Sequence, residues 1–406
     1  MSSLNWSPVA WRRAGLCVVA VWAVLIAVIA RVGTTHSLDL VVYRQAASNM
    51  LHGGATYQAT FADHLSFTYP PFALLFFSPL SLLSLHSAVW VWDLCNVVAL
   101  AVALSVLARR CVSVSRPRAV VLGALVAGAS LLAFEPLRNS LLDGQVNLVL
   151  ICAIVVDVFV VPPRWRGVLI GIAGAIKLTP LVFLVYLVVA RDRRAAVRAL
   201  ATFGVVTALS WLVLPTDSST FWLHQAFSPG HKGGTQSDWN QSWWGLVGRL
   251  PASDGSLRVA VWLAACAVTL GVGVFVARRY VAQGRRVDAF FVVALTGLLM
   301  SPVSWTHHWS WIAVLPILLL ARTGRHRAVT VAMLALLALT IPSPYGWHLK
   351  GAWPLNFSLV FVAAGLLAVM AAVEWRDARR RGGAAAAAPL AREHAPEEAH
   401  DPRMLR

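Results

Sequence analysis

Residues 257–286 read LRVAVWLAACAVTLGVGVFVARRYVAQGRR. The first two-thirds of this stretch are almost entirely apolar, and a helix of that length crosses the roughly 30 Å hydrocarbon core of a bilayer. Arginines at 278, 279, 285 and 286 follow the apolar run, and arginine clusters beside membrane helices belong to cytoplasmic loops. The stretch therefore predicts a transmembrane helix and assigns its second end to the cytoplasm.

The same alternation of apolar run and arginine cluster recurs along nearly the whole chain. Hydrophobic residues make up 58% of the 406 residues, charged residues 13%, and the mean hydropathy is +0.69. Of the 34 basic residues, 23 are arginines in the predicted inner segments up to Arg381. The net charge of +17 thus follows from membrane topology, and a nucleic-acid partner is not expected. We predict an all-α, polytopic membrane protein.

Arg12 and Arg13 place the N-terminus in the cytoplasm, and counting from there gives about 12 transmembrane helices with both termini inside. The run 71–85 is interpreted as re-entrant or juxtamembrane, because a full crossing would put the next arginine cluster outside. The expected helices are 14–32, 88–108, 119–136, 145–161, two short helices within 167–190, 197–214, 257–277, 287–303, one returning to Arg322, 327–341 and 356–373.

Two segments interrupt the simple alternation of spanning helices. Leu40, Tyr43 and Ala47 share one helical face, which predicts a short helix lying on the membrane in the first external loop. Both ends of 167–190 adjoin arginines, which predicts a hairpin broken at 177–180, where Pro180 disfavours helical geometry in the preceding residue. Residues 1–381 form the expected membrane domain, and 382–406 lack a packable pattern and are expected to form a disordered cytoplasmic tail.

Most ionisable residues outside the arginine clusters fall on the external side of this topology. They include Asp39, Arg44, Asp63, Arg138, Asp143, Lys232, Asp238, His307, His308, His348 and Lys350. This one-sided distribution predicts an active site that faces outward from the plasma membrane.

Asp39 and Lys177 each admit a structural and a functional interpretation. Asp39 precedes the amphipathic segment, so it is either the N-cap of that helix or a general base that deprotonates an acceptor hydroxyl. Lys177 lies at the hairpin break, where it either extends toward the interface or contacts the phosphate of a lipid-linked donor. A carboxylate can cap a helix and act as a base, so the interpretations of Asp39 are compatible.

Further polar residues could contact a sugar or a phosphate. His307 and His308 end the ninth predicted helix, but no third ligand has recognisable spacing, so a metal site is not expected. Gln145 and Asn147 can each donate and accept hydrogen bonds, although their place at a helix start also fits capping. Tryptophans 239, 243 and 244 either stack on sugar rings or anchor their loop at the interface.

Four motifs together resemble one family, the actinobacterial polyprenol-phosphate-mannose-dependent α-1,2-mannosyltransferases of the glycosyltransferase C superfamily. The motifs are DLVVYR at 39–44, TYPPF at 68–72, GQVN at 144–147 and AIKLTP at 175–180. The resemblance implies Asp39 as the catalytic residue, and Arg44, Tyr69, Gln145, Asn147, Lys177, His307 and His308 are the expected substrate-binding residues.

The resemblance also implies a reaction. Mannose would pass from polyprenyl-phosphate mannose to the 2-hydroxyl of a phosphatidylinositol mannoside, in a step of the tetramannoside-to-pentamannoside type, without a metal or other cofactor. A lipomannan- or lipoarabinomannan-branching enzyme, an arabinosyltransferase, and a flippase for lipid-linked sugar remain alternatives. The flippase is less favoured because the sequence shows no repeated halves.

Overall fold

The computed structural model describes residues 2–3, 6–226, 237, 239–249, 255–322, 326–341 and 353–393, and these form a helical bundle. The helices are α1 (Pro8–His36), α2 (Leu38–Leu51), α3 (Pro71–Ser81), α4 (Leu85–Cys111), α5 (Arg116–Ala133), α6 (Glu135–Leu142), α7 (Asn147–Phe159), α8 (Val168–Ile176), α9 (Phe183–Val189), α10 (Arg193–Val213), α11 (Pro215–Thr220), α12 (Trp243–Val247), α13 (Gly255–Ala282), α14 (Arg286–Met300), α15 (Val314–Ala321), α16 (Arg327–Ala338) and α17 (Ser358–Glu393).

Strand structure among the described residues is confined to one parallel pair, β1 (Ser2–Ser3) with β2 (Val112–Ser113). This pair joins the N-terminal segment to the connection between α4 and α5. The topology predicted from the arginines placed both segments on the same side, and the pairing agrees with that placement.

The predicted all-α membrane architecture is confirmed, but the number of crossings is not. Six described helices are long and apolar enough to span a membrane, and the count becomes seven if α6 and α7, bent by 111°, form one broken span. α3 has 11 residues, a length of about 16 Å, which is shorter than a hydrocarbon core of roughly 30 Å. The total of 12 therefore stays a prediction.

The hairpin predicted in 167–190 is present. α8 ends at Ile176, residues Thr179–Val182 form a 3₁₀ turn, and α9 continues to Val189. The two ends of the hairpin lie close together, since Nη1 of Arg166 donates a hydrogen bond to Oδ2 of Asp192 at 2.8 Å. Lys177 is thus at the far end of the hairpin from the arginines, as expected.

Two sequence expectations about local structure are wrong. The connection between the predicted helices 119–136 and 145–161, expected to be an external turn, is mostly helix α6, whose start carries Glu135 in the first turn and a proline at an early position, both typical of helix N-termini. His307 and His308 do not end the ninth predicted helix. α14 stops at Met300, and the histidines lie in the 3₁₀ segment Thr306–Ala313 that leads into α15.

The predicted inner and outer segments gather at opposite ends of the bundle. The inner segments line one cavity, with residues from 109–111, 158–166, 186–192, 283–288, 318–322, 326 and 377. The outer segments line another, with residues from 38–43, 64–70, 139–145, 177–182, 221–226, 237, 239 and 297–308. The structure confirms how the loops are grouped, and the side of the membrane that each group faces stays a prediction.

The last helix is described to Glu393, and residues 394–406 lie outside the described ranges. The tail expected at 382–406 and the boundary of the membrane domain at 381 stay predictions. Lys232, Asp238, His348 and Lys350, which the sequence placed outside the membrane, also lie outside the described residues.

Candidate active site

The larger cavity, called here the Asp39 cavity, has a volume of about 1320 Å³. It lies where α2, the segment before α3, the turn between α6 and α7, the hairpin break and the segment after α14 meet. Small-molecule sites typically measure roughly 300–1,000 Å³, so the cavity has room for more than one substrate group. Asp39, Tyr69, Gln145, Lys177, His307 and His308 all line it.

Asp39 lies in the first turn of α2, not at the N-cap. Ser37 occupies the cap position, and the backbone N–H of Asp39 donates to the carbonyl of Asp143 at 2.9 Å. The helix-cap interpretation of the Asp39 carboxylate is therefore wrong. Its Oδ2 accepts a hydrogen bond from Gln145 Nε2 at 2.5 Å, and no donor among the described residues bonds to Oδ1.

Burial raises the pKa of the Asp39 carboxyl to about 6, although the hydrogen bond from Gln145 and the positive charge of Lys177 oppose the shift. Desolvation disfavours the charged form of a carboxyl group. A base whose pKa lies near the working pH combines a large deprotonated fraction with a strong tendency to take up a proton. The position of Asp39 thus gives it the acidity of a general base.

Gly144 holds the turn that places Gln145 against Asp39. Its φ is +70°, and a Cβ at this position would lie 2.6 Å from Cβ of Leu40, so both the conformation and the space require glycine. The carbonyl of Gly144 accepts a hydrogen bond from Trp92 Nε1 at 2.7 Å. α7 begins only at Asn147, so Gln145 precedes the helix and its side chain bonds to Asp39 rather than capping the helix.

Two tyrosines complete the surroundings of Gln145. The hydroxyls of Tyr43 and Tyr69 lie 2.8 Å apart, and they approach Gln145 Oε1 to 3.3 and 3.2 Å. With its amide nitrogen donating to Asp39, Gln145 presents its oxygen to these donors. The four side chains therefore fix one another's orientation.

Lys177 is 8% exposed and takes extended backbone angles at the end of α8. Its ammonium group lies 2.8 Å from Asn147 Oδ1, 3.0 Å from His308 Nε2 and 3.4 Å from the Tyr69 hydroxyl. Three partners match the three donors of an ammonium group. Burial lowers the pKa of Lys177 to about 7, with the negative charge of Asp39 opposing the shift.

His307 and His308 contact different partners. His308 Nε2 accepts from Lys177 when the lysine is charged, since an ammonium group can only donate. Asn147 Nδ2 donates to the backbone carbonyl of His307 at 3.2 Å, which ties the histidine segment to α7. His307 Nδ1 lies 3.7 Å from Asp143 Oδ2, and its buried Nε2 has no hydrogen-bond partner among the described residues.

Seven of the eight site residues expected from the sequence are thus brought together, and Arg44 is not. Arg44 Nε donates to the carbonyl of Leu80 at 2.9 Å, and Nη2 donates to that of Leu83. These carbonyls lie at the C-terminal end of α3, where cations are favourable. Arg44 fastens α3 to α2 and does not line the cavity.

The sequence interpretation missed Tyr43 and Asp143 as parts of the site. Tyr43 is four residues after Asp39, so the two share one face of α2, and this spacing was a usable signal. Asp143 was recognised only as an external charge. Its backbone carbonyl accepts hydrogen bonds from backbone N–H groups in the first turn of α2, and its carboxylate lies beside His307. A single sequence carries no signal for either contact.

The tryptophans divide between the two roles considered for them. Trp243 Nε1 donates to Thr269 Oγ1 at 2.9 Å, and the rings of Trp244 and Trp262 pack with centroids 5.3 Å apart, so both anchor their segment to α13. Trp239 lines the Asp39 cavity, where stacking on a sugar ring remains a prediction.

A carboxylate and a buried ammonium group, joined through amides and tyrosines in a large cavity of a helical membrane protein, define a class of membrane-embedded enzyme. Comparison with known proteins identifies the family. The model of glycosyltransferase family 87 matches residues 67–302, and the chain belongs to this family. It is a glycosyltransferase.

Relatives with established names cover most of the chain. A polyprenol-phosphate-mannose-dependent α-(1-2)-phosphatidylinositol mannoside mannosyltransferase of Mycobacterium tuberculosis is 33% identical over 321 residues, 75% of this chain and 74% of the relative. A polyprenol-phosphate-mannose-dependent α-(1-2)-phosphatidylinositol pentamannoside mannosyltransferase of Mycolicibacterium smegmatis is 31% identical over 384 residues. The match covers 88% of this chain and 91% of the relative. No solved structure matches the chain. The resemblance to this group of mannosyltransferases is confirmed.

Proposed function

We propose that the chain is an inverting α-1,2-mannosyltransferase that uses polyprenyl-phosphate mannose and extends a phosphatidylinositol mannoside. The observation that carries the proposal is the pairing, in one cavity, of a carboxylate of raised pKa with a buried lysine at a helix break. The names of the relatives indicate the donor and the acceptor class.

In the proposed reaction Asp39 removes the proton from the 2-hydroxyl of the terminal mannose of the acceptor. The hydroxyl oxygen forms a bond to the anomeric carbon of β-linked mannosyl phosphate, and the bond from that carbon to the phosphate oxygen breaks. The electron pair leaves with polyprenyl phosphate, and the new linkage is α. The free Oδ1 of Asp39 is the atom that takes the proton, because Oδ2 is held by Gln145.

Polyprenyl phosphate leaves as an anion, so the reaction needs positive charge and hydrogen-bond donors at the phosphate more than it needs a general acid. Preorganised donors at a site of developing negative charge are often the largest single contribution to catalysis. Lys177 is the proposed contact. Its longest hydrogen bond, 3.4 Å to Tyr69, is the one that a phosphate oxygen would replace.

His307 is proposed to bind a substrate hydroxyl, because its Nε2 is buried beside the cavity without a partner among the described residues. Asn147 and His308 are proposed to position Lys177, and Tyr69 and Gln145 to position Asp39. We propose further that the Asp39 cavity faces the periplasmic side of the plasma membrane and both termini face the cytoplasm. No metal is invoked in this reaction.

Purified protein in detergent, incubated with radiolabelled polyprenyl-phosphate mannose, tests the proposal. We expect labelled product with phosphatidylinositol tetramannoside as acceptor and an α-1,2 linkage in that product. Phosphatidylinositol pentamannoside is tested in parallel, since two relatives are named for it. Absence of product with every mannoside acceptor would contradict mannosyl transfer, and product formation in detergent excludes a protein that only translocates lipid-linked sugar.

A further inference from the structure

A second cavity of about 940 Å³ lies at the other end of the bundle from the Asp39 cavity. α14 runs between the two, because Gly297 and Met300 line the Asp39 cavity while Arg286 and Asp288 line the second one. α14 has 15 residues and is about 22 Å long. The second cavity is therefore separate from the proposed catalytic site, and it is called here the arginine cavity.

The arginine cavity is lined by seven arginines and three aspartates. Two of the aspartates pair with arginines, Asp192 with Arg166 at 2.8 Å and Asp288 with Arg285 at 2.5 Å, and Asp377 lies 3.6 Å from the imidazole of His326. The arginines that have no carboxylate within ion-pair distance among the described residues are Arg109, Arg110, Arg191, Arg286 and Arg322. The cavity thus carries an excess of positive charge.

Arg322 is the clearest example of a cavity arginine with few hydrogen-bond acceptors among the described residues. It is half-buried at the end of α15, and the hydrogen bond described for its guanidinium group goes to the sulfur of Met333 at 3.3 Å. A thioether is a weak acceptor, whereas a guanidinium group has five donors in a planar fork that matches phosphate geometry. Asp288 interacts with Arg322 electrostatically, but the remaining guanidinium donors have no hydrogen-bond acceptor among the described residues and are available to a ligand.

Arg191 also lines the arginine cavity, and it does so from a left-handed turn. Its φ is +62°, in the left-handed region where glycine is favoured, at the end of α9. Arg191 therefore occupies a position in the turn after α9 where a glycine would adopt the same backbone angles without strain. Arg191 lines the arginine cavity and adds to its positive charge.

Membrane topology alone explains why arginines lie at this end of the bundle, but not why they converge. The positive-inside rule is satisfied by arginines spread over any of the loops on one side. Here arginines from five separate segments of the chain, at 109–110, 166, 191, 285–286 and 322, line one concave space. Convergent guanidinium groups with spare donors form a typical binding site for phosphate.

We propose that the arginine cavity is a second ligand site of this protein and binds a phosphate-bearing anion. The phosphate can belong to a phospholipid head group or to a soluble phosphate. This site takes no part in the proposed mannosyl transfer and does not depend on it.

The experiment is native mass spectrometry of the purified full-length protein in detergent. The protein is titrated with inorganic phosphate, with phosphatidylglycerol and with zwitterionic phosphatidylcholine. Every titration is repeated with the Lys177→Met variant. This variant lacks the proposed phosphate contact of the Asp39 cavity, so the binding that it retains is assigned to the arginine cavity. We expect saturable binding of phosphatidylglycerol, inorganic phosphate or both, with little binding of phosphatidylcholine.

Variants locate the binding. Replacing Arg286 and Arg322 together by glutamine should raise the dissociation constant of the bound anion at least roughly tenfold. The reason is that one hydrogen bond between charged groups contributes about as much free energy as a tenfold change in affinity. The single variant Arg286→Gln, at an exposed arginine, should raise the dissociation constant about threefold. This single variant tests the proposal even if the double variant does not fold. Arg194→Gln, at an exposed arginine near the start of α10 that does not line the cavity, is the matched control.

Binding of phosphatidylglycerol alone would identify the source as a lipid head group, and binding of inorganic phosphate in addition would show that the phosphate is sufficient. Three results would overturn the proposal. They are binding of neither anion, equal binding of phosphatidylcholine and phosphatidylglycerol, and a loss in Arg194→Gln as large as that in the cavity variants.

Discussion

The Asp39 cavity and the arginine cavity lie at opposite ends of α14 and differ in how their charges are arranged. In the Asp39 cavity the Asp39 carboxylate and the Lys177 ammonium group are connected through Gln145, Tyr69 and Asn147, and burial moves the pKa values of both groups toward neutrality. In the arginine cavity the acidic residues are paired and the arginines are in excess. The first arrangement suits proton transfer, and the second suits binding of an anion.

The largest effect is expected from Asp39→Asn. A general base contributes about 10²–10⁴-fold to the rate, so kcat for mannosyl transfer should fall by roughly 10³-fold, while asparagine preserves the size of the side chain. Asp288→Asn removes a carboxylate from the arginine cavity and should change kcat by about twofold at most. The measurement is initial rate with radiolabelled donor, with size-exclusion chromatography as the check on folding. Asp39→Asn with most of its activity intact would remove Asp39 as the base.

The next effect is expected from Lys177→Met. Loss of a charged hydrogen bond to the donor phosphate should lower kcat/KM for the donor by about 10–100-fold. The acceptor KM, measured at saturating donor, should change much less, because the acceptor does not carry this phosphate. Unchanged donor kinetics would contradict the proposed phosphate contact.

The pH dependence of kcat/KM should give a smaller, graded effect. Asp39 must be deprotonated, so the rate should fall about tenfold per pH unit below its pKa of about 6. Lys177 must be protonated, so the rate should decline above its pKa of about 7. A bound phosphate favours the charged lysine, so the alkaline decline of kcat, measured at saturating donor, should begin at a higher pH than that of kcat/KM.

Lys177→Met provides the control for this profile. The alkaline decline should disappear, and the acid limb should move to higher pH, because the positive charge of Lys177 lowers the pKa of Asp39. A profile that Lys177→Met leaves unchanged would show that other groups titrate.

The smallest effect on catalysis is expected from Arg44→Gln. Arg44 bonds to the carbonyls of Leu80 and Leu83, so its loss should lower the free energy of unfolding by about 1–2 kcal/mol and leave the donor KM within about twofold. Thermal unfolding in detergent and donor kinetics measure the two quantities. A large rise in donor KM at unchanged stability would restore the role in substrate binding that the sequence suggested.

Most of the candidate site was predictable because its residues are polar groups in a chain that is otherwise apolar or arginine-rich. Asp39, Lys177, the two histidines, Gln145 and Asn147 stand out for that reason, and the resemblance added Tyr69. The contacts of Arg44 could not be predicted, because the carbonyls that it bonds lie about 40 residues further along the chain, at the end of α3. Asp143 was missed because its importance comes from the helix that docks on its carbonyl.

The sequence by itself determined the helical membrane class, the hairpin at 167–190 and the grouping of loops on two sides, because hydrophobic length and arginine placement are local properties of the chain. Only the tertiary structure decided which polar residues meet. Gln145 reaches Asp39 because Gly144 permits a left-handed turn against Leu40, and Lys177 meets Asn147 and His308 from distant helices. The arginine cavity likewise exists only in the folded bundle, where loops that each satisfy the same local rule converge on one space.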